Sequence, residues 1–543
     1  MSDESTNVLV VGIDGGTFRV LLPMMQRGLL PNLTGLAEGG VQGQLASTVP
    51  PTTAPAWTSF MTGKNPGKHG LFGWQRPIVT EYRKDWVHAG LIRGEKLWHI
   101  IGRQGGQVGV INVPMTYPPE TVNGFLVSGM LTPSSSKDFV YPPELRDPLD
   151  ALGYIVDLHI REFERDVKNE KALLDLLADL REVILKREKA LVHLWGEGLS
   201  DFSMVVFVEP DRIQHYMWGY LTSALSGSGL TEHGEIKRRI LECYKEIDRI
   251  VGWLLGKAGD DTTVFVISDH GFCGVRRMVH INDWLADLGF LVYRTGKKAI
   301  RMWARRPINA LKRGIPRAVM YGGRRTFDVL QIVDWSRTKV YLRAFTENAF
   351  CINLRGREPQ GIVEPGAEYE GLRREIRRLL TDMKDPGDGR PVMKNVWLRE
   401  ELYHGPYLAQ APDVLFELNE GYAASSEPSR GAFLQDASGN GRGDHAPEGM
   451  LIAAGAGVKK GEAITGAALI DLAPTILFAL GMDIPSDMDG NVLLDVFEPD
   501  FLEKRTIRYS ASAWDDRADL PKEVYSIEEE ADIRAKLQGL GYL

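Results

Sequence analysis

An α/β fold with a largely parallel central sheet is what this sequence predicts, and three observations predict it. Apolar strand-like runs alternate with longer amphipathic stretches, the pattern of strands covered by helices. Carboxylates and imidazoles stand at the ends of those runs, where α/β sheets gather their ligands into one crevice. The composition, 43% hydrophobic and 25% charged over 543 residues, suits one large globular α/β domain with insertions.

Taken in order, strands are predicted over 7–13, 107–112, 203–208, 262–268 and 451–454. Helices are predicted over 171–196, with apolar residues at three- and four-residue spacing, and over 236–256, 368–382 and 469–480. Residues 1–500 read as one catalytic domain. Within it, 291–335 reads as a basic helical insertion, with eleven Lys or Arg and no Asp or Glu between Arg294 and Arg325. Pro307 and Pro316 split that stretch into short helices. It is either a contact for anionic surfaces or a solvated excursion that balances an acidic body. Residues 501–543 form an arm ending in the charged helix SIEEEADIRAKLQGLGYL. That helix packs on the core or on a second subunit, which leaves a homodimer open.

The net charge of −8 gives no reason to expect nucleic acid as the main partner, and no dedicated nucleic-acid site is expected. The acidic start MSDESTNVLVVGID lacks the charged leader of a secretory signal, and no apolar run approaches the roughly 18 residues of a membrane span. Cys243, Cys273 and Cys351 are widely spaced and suit neither a zinc motif nor a disulfide framework. A cytoplasmic address is expected.

The chemistry is carried by groups at strand ends. Asp14 closes VLVVGID, Asp211 follows MVVFVEP, and Asp269-His270 follows TTVFVIS. His215 lies four residues after Asp211, which puts both side chains on one helical face. His445 sits in GRGDHAPEGM. A lone Asp at a strand end is commonly a turn former, but an adjacent Asp-His pair after an apolar strand is hard to explain by packing. Six metal-capable groups converging on one crevice suggest two divalent ions, and two ions suggest phosphoryl or ester hydrolysis. Asp with His suits Zn²⁺ or Mn²⁺.

The segment TVPPTTAPAWTSFMTGKNPGKHG is dense in hydroxyls before an expected helix. Pro55 suits the first turn, which makes Thr53 the expected N-cap. A hydroxyl there feels the positive end of the helix dipole, so Thr53 is either a nucleophile or simply a cap.

These motifs, GIDGG, PTTAPAWTSFMTGKNPGKHG, EPDRIQH, ISDHG, GDHAPEGMLIAAG and DLAPTILFALGMDIP, resemble in order those of the alkaline phosphatase superfamily. The likeness is to its type I phosphodiesterase/nucleotide pyrophosphatase branch and related phosphohydrolase/phosphomutase proteins, over roughly residues 7–290 and 336–495. The resemblance implies an alkaline-phosphatase-like three-layer α/β/α sandwich with an inserted helical segment. It implies one metal on Asp14, Thr53, Asp269 and His270, and another on Asp211, His215 and His445. It also implies a metal-dependent hydrolase of phosphoric ester or phosphoanhydride bonds, with Thr53 as the catalytic nucleophile of a covalent phosphothreonine.

The string Thr53-Ala54-Pro55-Ala56-Trp57 departs from the Cys-x-Pro-x-Arg or Ser-x-Pro-x-Arg of sulfatases in this superfamily, which argues against sulfatase activity. Candidates for holding the phosphate oxygens are Lys64, Asn112 and Ser128. The expected substrate is a small phosphorylated molecule, a nucleotide or another phosphodiester. The alternatives are a phosphomutase of the cofactor-independent phosphoglycerate mutase type, a phosphomonoesterase, or a non-enzyme that docks on anionic surfaces through its basic insertion.

Overall fold

The computed structural model describes residues 6–77, 82, 84–158, 169–226, 233–294, 332–342, 348–426, 429, 433–437, 441–512 and 524–539. Its main element is a ten-stranded sheet. In chain order the strands are β1 Asn7–Ile13, β2 Val41–Ala46, β3 Val108–Val113, β4 Gly124–Ser128 and β5 Val140–Tyr141. They continue with β6 Phe202–Phe207, β7 Thr262–Ile267, β8 Glu448–Gly455, β9 Glu462–Ala463 and β10 Ala467–Ala468. The spatial order is β9-β2-β8-β7-β1-β6-β3-β4-β5, with β10 beside β2.

β1 lies at the centre and pairs in parallel with β6 and β7, Val11 opposite Val205 and Val266. β3 continues the parallel set on β6, and β4 on β3. Only β8 and β5 run against their neighbours. β6 and β7 are buried along their whole length, as strands with helices on both faces must be. The long helices Glu170–Trp195 and Gly234–Leu255 pack on each other. The four predicted helices and five predicted strands are present, with ends shifted by at most three residues.

Gly12 shows how tightly the layers meet. A Cβ there would stand 2.7 Å from the Trp57 indole and 2.8 Å from Val206, so only glycine lets helix Thr53–Thr62 approach β1.

A second hydrophobic core, which the sequence pattern did not reveal, gathers residues between Val279 and Leu434. It is a four-stranded antiparallel sheet in the order Val340–Leu342, Ala349–Ile352, Val414–Leu418, Met393–Leu398. Helix Ala367–Thr381 packs on it through Leu372, Ile376 and Leu380. The flanks of the basic insertion join this core: Leu291, Ile332 and Val333 are buried, and Arg294 N–H donates to Ile332 O at 2.7 Å. The basic stretch beyond Arg294 lies outside the described residues.

The C-terminal helix Ile527–Gly539 packs on the main core through Ile533 and Leu537. Lys536 Nζ donates to Thr132 O at 2.7 Å. Among the described residues no helix is long and apolar enough to cross a membrane.

Candidate active site

Strand ends deliver most of the site. Asp14 follows β1, and its N–H donates to Phe207 O at 2.9 Å, which fixes the turn out of the sheet. Asp211 lies in the first turn of helix Glu209–Leu225, which starts two residues after β6, and His215 follows one turn later. Asp269 and His270 follow β7. His445 arrives from far along the chain: strand Gly443–Ala446 pairs antiparallel with Gly271–Gly274, setting His445 opposite Phe272.

Thr53 is not the N-cap. Thr52 holds the extended cap conformation (φ −115°, ψ 135°), and Thr53 is the first helical residue. Ala56 N–H donates to Thr52 O at 3.0 Å, and Pro55 has no N–H to leave unsatisfied at the helix start. Starting the helix one residue earlier than expected puts Thr53 inside the first turn, with its hydroxyl beside the His270 imidazole.

Two clusters form. In the first, Asp14, Asp269 and His270 place one ligand atom each within 4.8 Å of one another, all buried. His270 Nδ1–H donates to Gly271 O at 3.1 Å, so Nε2 is left as an acceptor. Thr53 Oγ1 lies 3.3 Å from that Nε2, Asp269 Oδ2 3.2 Å and Asp14 Oδ1 3.6 Å. Neither of those carboxylate oxygens accepts a hydrogen bond from a described residue. Their other oxygens are satisfied: Trp57 Nε1–H donates to Asp14 Oδ2 at 3.2 Å and Gly15 N–H to Asp269 Oδ1 at 3.2 Å. Gly15 reaches Asp269 from a left-handed turn at φ +67°.

In the second cluster, Asp211 Oδ1 lies 3.2 Å from His445 Nε2 and 3.4 Å from His215 Nε2. The two imidazole nitrogens are 3.0 Å apart. His445 Nδ1–H donates to Pro51 O at 2.8 Å, two residues before Thr53. His270 links the clusters, since its ring stacks on His445 at 3.6 Å and it also groups with Asp211 and His445.

The protonation balance follows from this crowding. Burial, then the charges of Asp269 and Asp211, push Asp14 well above the carboxylate range, and burial lifts Asp269 to about 7. Burial pushes His270 well down, and it also lowers His215. Burial opposes charge on Asp211 and His445 as well, but their mutual attraction, with His215 acting on Asp211, outweighs it. Asp211 is therefore held well below its usual value and His445 above its own. Asp14 Oδ1 and Asp269 Oδ2, buried together with no donor from the described residues, suit a bound cation, and the Asp/His donor set suits Zn²⁺ or Mn²⁺.

The other sequence candidates are engaged in the fold. Lys64 is buried and ion-paired with Asp487. Ser128 donates to Phe139 O at 2.8 Å and accepts from Thr132 at 3.0 Å. Asn112 occupies a bulge at φ +59°, and its Nδ2 donates to Val206 O at 3.1 Å. Sequence reading did not single out Trp57, Arg212 or Phe272, which contact the clusters directly. Trp57 and Arg212 lie within the quoted motifs, one turn from Thr53 and next to Asp211, and that proximity was the available signal.

Residues 8–448 match the family described as type I phosphodiesterase / nucleotide pyrophosphatase. The chain belongs to this family. It is accordingly a metal-dependent hydrolase acting on phosphoric esters. No curated protein matches the sequence. Among solved structures, phosphonoacetate hydrolase from Sinorhizobium meliloti 1021, in complex with phosphonoformate, aligns at TM-score 0.53 and 14% identity, over 88% of this chain and 95% of that one. Murine ectonucleotide pyrophosphatase/phosphodiesterase 5, as an inactive variant in complex with AMP, aligns at TM-score 0.50 and 13% identity, over 91% of this chain and 100% of that one. At these identities the likeness establishes the shared alkaline-phosphatase-like fold.

Proposed function

We propose that this member of the family cleaves a small phosphodiester or pyrophosphate, a nucleotide or a related compound, through a covalent intermediate on Thr53. The reading rests chiefly on one observation: Thr53 Oγ1 lies 3.3 Å from His270 Nε2, in a buried nest of acceptors that includes Asp14 Oδ1 and Asp269 Oδ2. Asp14, Thr53, Asp269 and His270 would hold one divalent ion, and Asp211, His215 and His445 the other. When bound, the two cations supply the positive charge that favours the Thr53 alkoxide and neutralises the attacking and leaving oxygens.

Thr53 Oγ1 loses its proton and attacks phosphorus in line. The Oγ1–P bond forms, the P–O bond to the leaving group breaks, and the leaving group departs with a proton. Water then attacks phosphorus, the Oγ1–P bond breaks, and the Thr53 hydroxyl is restored. Helix Thr53–Thr62 turns its positive end toward the non-bridging oxygens. Gly271 O and Pro51 O keep His270 and His445 presented through Nε2. A cavity of about 280 Å³ beside His445, lined by Arg19, Lys394, Glu417, Tyr422 and Asp444, offers room for the leaving group.

The test compares hydrolysis of bis-p-nitrophenyl phosphate and p-nitrophenyl phosphate with added Zn²⁺ or Mn²⁺, for wild type and Thr53→Ala. Metal-dependent turnover of the diester, lost in Thr53→Ala, is expected. Preference for the monoester would overturn the diester reading, and unchanged turnover by Thr53→Ala would remove Thr53 as nucleophile.

A further inference from the structure

Asp211 does not stand alone in the second cluster. Arg212 Nη1 donates to Asp211 Oδ2 at 3.1 Å, and its Nη2 donates to both oxygens of Asp157 at 3.1 and 3.2 Å. The Arg212 and Asp157 side chains are 1% and 2% exposed, so this is a sealed ion pair rather than a surface contact. We propose that Arg212, clamped by Asp157, is a positioning residue that presents Asp211 to the second metal ion through Oδ1 alone. The inference rests on the two-metal reading above.

A buried guanidinium needs a compensating charge, and a carboxylate next to it in sequence would ordinarily be drawn into a two-pronged pair. Asp157, which precedes Arg212 by 55 residues, takes that role instead. With Nη2 turned to Asp157, Arg212 bonds Asp211 through Nη1, to Oδ2. Oδ1 is left facing His445 Nε2 at 3.2 Å and His215 Nε2 at 3.4 Å. Rotating the Asp211 carboxylate would break the Arg212 bond, so the one-oxygen presentation is fixed by the fold. Asp157 also balances the guanidinium charge. Among the described residues the first cluster has no such relay: Asp14 and Asp269 are oriented by the neutral Trp57 indole and Gly15 N–H.

The experiment is a Zn²⁺ titration by isothermal calorimetry of metal-free wild type, Asp157→Asn and Arg212→Lys, with a thermal melt of each metal-free protein. Asp157→Asn keeps the shape but lets Arg212 turn wholly to Asp211. Arg212→Lys keeps the charge but cannot reach both carboxylates. The wild type is expected to take two ions. A variant is expected to take the first with wild-type affinity and the second about 10–100-fold more weakly. That selective loss in either folded variant supports the relay. Wild-type affinity at both sites, or equal weakening at both, overturns it and leaves a purely structural role. A wild type that takes no ion sinks the two-metal reading itself, an outcome distinct from failure of the relay.

Discussion

The two clusters hold charge in opposite ways. The first brings two fully buried carboxylates, Asp14 and Asp269, against an imidazole that burial holds towards its neutral form, with the Trp57 indole and the Gly15 amide donating to them. The second has one carboxylate, two imidazoles and a buried Arg212–Asp157 pair behind it. The first is frustrated without a cation, and its carboxylates respond by drifting toward protonation. The second compensates itself, since Asp211 and His445 hold each other towards their charged forms. Like acids with opposite shifts some ångströms apart show that environment, not residue type, sets the role of each.

The sharpest way to break this contrast is Asp269→Asn. The folded Asp269 titrates near 7, above the roughly 3.9 of an unfolded carboxyl, so its cost to the metal-free protein is absent below pH 4. That cost grows between about pH 4 and pH 7 and is complete above that window. In thermal or urea denaturation of metal-free protein, Asp269→Asn should therefore exceed wild type in stability near pH 8, by on the order of a few kcal/mol, and match it near pH 4. A difference that is the same at both pH values would break the claim of frustration.

Trp57→Phe tests whether a neutral donor matters to the first cluster. It removes one hydrogen bond to Asp14 and retains most of the buried ring, and a net bond is worth about 1 kcal/mol. Diester turnover at limiting Zn²⁺ should fall about 5–10-fold and recover as Zn²⁺ is raised. Failure to recover would indicate that Trp57 acts on the helix carrying Thr53 and not on the ion.

The smallest effect is expected at Lys64, which the geometry ties to Asp487 rather than to either cluster. Lys64→Met should lower the melting temperature by a few degrees, from about 1 kcal/mol for a partly exposed partner, and leave kcat/KM unchanged. A loss of kcat/KM above tenfold with an unchanged melting temperature would return Lys64 to the substrate.

Much of the site was legible because it sits on local pattern. Asp14, Asp211 and Asp269-His270 each follow an apolar strand, and a parallel sheet sends all its strand ends to the same edge. The second core was not legible, because strands of three to six residues scattered from Val340 to Leu418 carry too little period to read. Arg212 stood in plain view within EPDRIQH, but nothing local says that a guanidinium will meet Asp157 across the fold.

The sequence by itself determined the five adjacent strands β8, β7, β1, β6 and β3, the long covering helices and the identity of the metal-capable groups, since burial period and strand-end position are properties of short windows. Only the tertiary structure decided which groups meet: that helix Thr53–Thr62 starts at Thr53, that His445 pairs into place opposite Phe272, and that one cluster is balanced by an ion pair while the other is not. Those outcomes depend on contacts between segments tens to hundreds of residues apart, where packing and desolvation rather than local preference fix the geometry.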